Sequence, residues 1–139
     1  MFSTILDVRY SETDQMGVVH HSRYFPWFEV ARTEFFKSGG MSYDEVERRG
    51  VMFPLVDCYC KFIEGAKYGD KVKIEVELEK LGVAKCQFNY RVVRYSDETL
   101  LANGYTTHGF TDLDFRPLNI KKSYPDVYEM LYKLCGELN

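Results

Sequence analysis

The sequence predicts an α+β fold in which a curved antiparallel sheet wraps one long central helix. Three observations lead there: one strongly apolar helical stripe in the first third, a switch to two-residue alternation after it, and consecutive strands separated by tight turns. Strands joined by short turns pair antiparallel, because a parallel pairing needs a long crossover. The single long helix is the most apolar element, and a sheet curved around it is the simplest way to bury it.

Taken in order, Ile5 to Tyr10 reads as a short strand, followed by the polar turn Ser11-Glu12-Thr13-Asp14. Tyr24, Trp27, Phe28, Ala31 and Phe35 then recur at helical spacing on one wide face. Ser22 is the expected N-cap and Gly39-Gly40 the stop. Pro26 fits only a first turn, so the regular helix starts late or kinks there. A short helical turn follows over Tyr43 to Arg49, ended by Gly50.

Beyond it the period becomes two. A long strand is predicted from Val51 to Ile63. Val72, Ile74, Val76 and Leu78 then alternate with charged neighbours, and Ala84 to Val92 alternates in the same way. Leu100 to Asp112 reads as the last strand, and Ser123 to Leu138 as an amphipathic helix with Val127, Met130, Leu131, Leu134 and Leu138 on one face. No repeat, low-complexity segment or linker interrupts the chain, so residues 1–139 are expected to form a single domain.

Composition narrows the function classes. With 45% hydrophobic and 16% aromatic residues the chain is too apolar for disorder, and the aromatics imply a large core or a large interface. A net charge of −3 gives no field favouring nucleic acid. No stretch approaches the roughly 20 apolar residues that span a bilayer, and no basic start precedes an apolar run, so a cytoplasmic location without membrane insertion is expected. Cys58, Cys60, Cys86 and Cys135 contain no CxxC pair and are expected to be buried free thiols. His and Cys partners at ligand spacing are absent, so no metal site is expected.

The segment from Arg9 to Tyr24 carries the chemistry. It sets Asp14 in a loop after a strand and just before a helix start, with Gly17 free to make a tight turn or a close approach to a ligand. Unpaired N–H groups opening that helix, around His20 to Tyr24, can hold a developing negative charge. A carboxylate beside an oxyanion site serves acyl transfer. The plainer alternative is that Asp14 makes an Asx turn and His21 caps or packs.

The residues Arg9, Glu12-Thr13-Asp14, Gly17-Val18-Val19, His21 and Tyr24, followed by Trp27-Phe28-Glu29, Ala31-Arg32 and Glu34, resemble a family signature. It is that of the 4-hydroxybenzoyl-CoA thioesterase-like branch of the hotdog-fold acyl-CoA thioesterases. Gly65 to Asp70, Ala102 to His108 and Asp114 to Pro117 resemble its later motifs, in the same order. The resemblance implies a single hotdog domain that hydrolyses acyl-CoA to a free acid and coenzyme A. It implies that Asp14 is the catalytic carboxylate, as nucleophile or general base, and that the backbone N–H of His21 polarises the thioester carbonyl. The His21 side chain matches a histidine implicated in some members. Gly17, Val19, His20 and Tyr24 are the expected substrate-binding positions. No metal or redox cofactor is called for, since a thioester is already activated. A homo-oligomer, dimer or tetramer, is implied, with sheets joined edge to edge and the site between subunits.

His20 stands where Tyr is common, and Pro26 is unusual in the helix start; both could reshape the pocket. Two alternatives are a hotdog hydroxyacyl dehydratase, whose His-Phe-Pro-Gly-like helix start is missing here, and a non-catalytic acyl-CoA-binding protein. Outside the signature, His108 is expected to hydrogen-bond within the core, and Glu29 with Arg32 to form a helical ion pair. Lys61, Lys85, Arg94 and Arg116 are the cations available to coenzyme A phosphates, although each taken alone is expected to be simply a solvated charge. Tyr124, Tyr128 and Tyr132 form a packing stripe on the last helix.

Overall fold

In the computed structural model, which describes residues 1–136, β1 (Phe2–Asp7) leads through two 3-10 turns, Tyr10–Glu12 and His21–Arg23, into α1 (Tyr24–Ser38). The chain continues through α2 (Tyr43–Arg48), β2 (Leu55–Phe62), β3 (Lys71–Leu81), β4 (Lys85–Arg94) and β5 (Leu100–Gly109) to α3 (Ile120–Ser123) and α4 (Pro125–Gly136). The strands form one antiparallel sheet in the order β1-β3-β4-β5-β2. Register shifts at Leu78/Lys80, Val92/Val93 and Leu55/Asp57 bend three of the strands, which lets the sheet curl around a helix.

That helix is α1. Phe28, Ala31, Phe35 and Phe36 are buried against the inward residues Val72, Ile74, Val76 and Leu78 of β3 and Phe88 and Tyr90 of β4. The Phe28 and Tyr90 rings stack at 4.3 Å between centroids, a contact that contributes about 0.5–1.5 kcal/mol beyond the area it buries. Pro26 is the third residue of α1, inside the first turn, where its missing N–H breaks no helical bond. The expected cap is corrected: Ser22 does not cap α1. The 3-10 turn runs directly into α1, and His20 caps that turn, its Nδ1 accepting the Ser22 N–H at 3.2 Å.

Several expected boundaries shift, each for a local reason. The first strand spans Phe2–Asp7, not Ile5 to Tyr10, because Tyr10 already belongs to a 3-10 turn. The second begins at Leu55, just past Pro54, which has no N–H to pair; upstream only Met52 bridges to Thr111. That same bridge lies beyond the end of β5, which stops at Gly109. The tail splits in two, because Tyr124 precedes Pro125 and leaves the helical region with φ −139° and ψ 67°. Leu138 lies outside the described residues.

The expected Glu29–Arg32 ion pair is absent among the described residues. Glu29 is exposed, whereas Arg32 turns toward the sheet and donates to the Tyr90 hydroxyl at 3.0 Å. From there a buried relay runs inward. Tyr90 Oη lies 2.6 Å from Thr106 Oγ1, and Thr106 Oγ1 lies 2.9 Å from His108 Nε2. His108 Nδ1 lies 3.0 Å from the Phe53 carbonyl, which can only accept, so Nδ1 carries the proton and Nε2 accepts from Thr106. His108 thus hydrogen-bonds within the core, as expected. The cysteine expectation holds only in part. No disulfide forms among the described residues and Cys86 is buried, but Cys60 and Cys135 are only half-buried and Cys58, on the edge strand β2, is exposed.

Candidate active site

Thr13 pairs with Val19, and the Asp14 N–H reaches the Val18 carbonyl at 2.9 Å, closing a small loop. Gly17 closes its tip at φ +81°, a left-handed conformation that strains any residue with a β-carbon. Within the loop, Asp14 Oδ1 accepts the Met16 N–H at 2.9 Å, the Asx turn that Asp favours. The other carboxylate oxygen accepts no hydrogen bond among the described residues. Both readings of Asp14 are therefore compatible: one oxygen shapes the loop and the other is open.

Glu12 anchors the loop to the helix. Its buried carboxylate accepts the Trp27 indole N–H at 3.0 Å and the Arg9 N–H at 2.8 Å, while its carbonyl accepts the His20 N–H at 2.8 Å. Burial pushes the Glu12 pKa up, but the bonds from Arg9 and Trp27 outweigh it and hold the carboxyl below its usual value. The His20 and Arg23 amides are occupied, the latter by the His20 carbonyl, and the Tyr24 amide bonds the His21 carbonyl. The His21 N–H has no acceptor among the described residues.

Asp14, Val19, His21 and Tyr24 line one open cleft of about 280 Å³. Its other wall is Phe62 to Gly65, from the end of β2 onward. The walls are tied by the Val19 N–H on the Ala66 carbonyl at 2.8 Å, and they meet where Val18 packs on Gly65. A β-carbon at Gly65 would lie 2.5 Å from Val18 Cγ1, so only glycine fits. Tyr24 is buried, with its ring edge-on to Phe62 at 5.0 Å. Of the expected substrate contacts, Gly17 and His20 stand outside the lining. Gly17 shapes the loop tip, and the His20 ring is turned to Ser22 and packed on His21 at 4.0 Å.

Sequence reasoning missed the wall from Phe62 to Glu64 and the work of Glu12. The only signals were Gly65, in the turn motif, and the position of Glu12 in the signature. Of the cations considered for phosphate contacts, Arg94 is already held by Glu64, Asp70 and Asp97. A larger concavity of about 500 Å³ lies beside Asp57, Lys80, Lys85 and Tyr105 on strands β2 to β5, but no residue of a helix start lines it among the described residues. Cys60 offers no rival nucleophile, because burial and the neighbouring Cys58 push its thiol up to about 11.

A five-stranded antiparallel sheet curled around one long helix is the hotdog arrangement of thioester hydrolases. The thioesterase-like superfamily matches residues 8–131, and the chain belongs to that family. Its relatives include the Bacillus subtilis protein named "Putative acyl-CoA thioesterase YneP", 33% identical over 122 residues that cover 87% of this chain and 88% of the relative. Two solved structures superpose closely. The hypothetical protein TT1821 of Thermus thermophilus is 40% identical with a TM-score of 0.89, covering 96% of this chain and 99% of the other. The DHNA-CoA thioesterase of Staphylococcus aureus is 30% identical with a TM-score of 0.90, covering 99% and 92%.

Proposed function

We propose that the protein hydrolyses the thioester of an acyl-CoA, with Asp14 as nucleophile or general base and the His21 N–H as the oxyanion donor. The observation that carries this is that Asp14, with one open carboxylate oxygen, and His21, whose N–H has no acceptor among the described residues, line one cleft. A fixed N–H aimed at a developing oxyanion costs no reorganisation when the tetrahedral intermediate forms. Val19, Tyr24 and Phe62 give the acyl group an apolar seat. The named activities of the Bacillus and Staphylococcus relatives support a coenzyme A thioester as the substrate class. Free Cys58 and Cys60 suit a reducing compartment and hence the proposed cytoplasmic location. A thiol-release screen across short, medium and aromatic acyl-CoA substrates tests the assignment. Turnover of at least one class is expected, and none with any of them would end it.

The backbone donor makes a second prediction. His21→Ala keeps its N–H, so turnover should fall by at most about tenfold, or about 1.4 kcal/mol of barrier. A loss as deep as that of an Asp14 variant in the same thiol-release assay would make the imidazole a direct participant.

The active form is proposed to be a homo-oligomer, at least a dimer. β2 is an unpaired sheet edge carrying Val56 at 61% and Leu55 at 56% exposure, and open apolar edges are normally covered. Phe62 and Ile63 at the end of that edge also wall the cleft, so a second copy there would deepen it. Sedimentation at micromolar concentration should show a dimer or tetramer, and a folded, active 16.3 kDa monomer would refute this.

A further inference from the structure

The wall of the cleft opposite the Asp14 loop ends in a charge. Glu64 lines the cleft with Asp14, and a free carboxylate there would oppose both the Asp14 charge and the negative charge growing on the thioester oxygen. The fold answers it from behind. Arg94, the last residue of β4, is only 16% exposed, and its guanidinium reaches Glu64 at 2.9 Å, Asp97 at 3.1 Å and Asp70 at 3.3 Å. It also lies 3.5 Å from the Gly65 carbonyl. The rigid fork of arginine suits this, since it binds several acceptors in one plane where lysine offers a single point charge. Asp70 in turn accepts the Lys67 N–H at 3.0 Å, so the same cluster fixes the turn that follows the wall.

We propose that Arg94 is a positioning residue for the thioesterase site: it braces the wall from Ile63 to Ala66 and offsets part of the charge of Glu64, which lines the same cleft as Asp14. The proposal rests on the acyl-CoA hydrolase reading, but its bracing part can be read without turnover. The Val19 N–H spans the two walls to the Ala66 carbonyl, so its exchange with solvent reports whether the wall holds.

The test is a double-mutant cycle with amide exchange measured alongside. Arg94→Gln should lower kcat/KM by at least about tenfold while Glu64 is present, and by at least about threefold less in the Glu64→Gln background, where only the brace through Asp70 and the Gly65 carbonyl is lost. In Arg94→Gln the Val19 amide should exchange at least about tenfold faster than in the wild type. Arg94→Lys keeps the charge but not the fork, so it should retain at least about a tenth of wild-type turnover while its Val19 amide exchanges faster than in the wild type, which decides both parts even if Arg94→Gln does not fold. An equal loss with and without Glu64, an unchanged Val19 exchange rate, or an Arg94→Lys variant more than about tenfold impaired would each overturn the proposal. If the wild type turned over no acyl-CoA, the hydrolase reading would fail, and the exchange comparison would still decide the brace.

Discussion

Asp14→Asn is expected to lower thioester hydrolysis by about 10²–10⁴-fold, roughly 3–5 kcal/mol of barrier, without changing the melting temperature or the oligomeric state. The two oxygens of Asp14 explain why the effects should separate. Oδ1 accepts the Met16 N–H and shapes the loop, and an asparagine carbonyl oxygen makes that bond equally well. The open oxygen is the one that would attack or take a proton from water, and the amide nitrogen replacing it can do neither. Steady-state thiol release, run beside a thermal melt, measures both. A folded Asp14→Asn variant with near-normal turnover would move the chemistry elsewhere.

The second large effect concerns stability in acid. Burial, and after it the Arg32 guanidinium, push His108 down from 6.5 to about 4, although its bond to the Phe53 carbonyl acts in the opposite direction. The unfolded chain takes up this proton near pH 6.5 and the folded chain only near pH 4. Between those values the unfolded state binds more protons, so stability falls as the pH is lowered. This contribution is fully present above pH 6.5 and lost by about pH 4, at a slope approaching 1.4 kcal/mol per pH unit and about 3 kcal/mol in all. Urea melts from pH 7.5 to 4 should therefore show a steeper decline for the wild type than for His108→Gln, which cannot titrate. Parallel declines would show that burial and the Arg32 charge do not hold the imidazole neutral.

What could be read from the sequence follows from how local the cause is. The stripe of α1 and the alternation of β3 and β4 were legible because each is one element facing one core. Ends were not, where a proline or a 3-10 turn overrode the hydrophobic pattern, as at Pro54, Pro125 and Tyr10. That Asp14 and His21 come together was legible because their loop is contiguous, and both line one cleft. The wall from Phe62 to Gly65 reaches the cleft from some forty residues away, through a strand pairing that no local pattern announces. Arg32 shows the same limit, since its partner Tyr90 lies on another element and the i,i+3 spacing to Glu29 suggested a different pair. Gly17 and His20 belong to the loop that makes the site without lining it, a distinction only geometry draws.

The most direct test of the central claim is a structure with a non-hydrolysable thioether or amide analogue of the best acyl-CoA substrate. The acyl chain should lie between Tyr24 and Phe62, with the thioester-equivalent carbon beside the open Asp14 oxygen. The carbonyl oxygen should lie about 2.7–3.1 Å from the His21 nitrogen. An analogue seated elsewhere, for instance in the concavity beside Lys80 and Lys85, with the His21 N–H left to solvent, would contradict it.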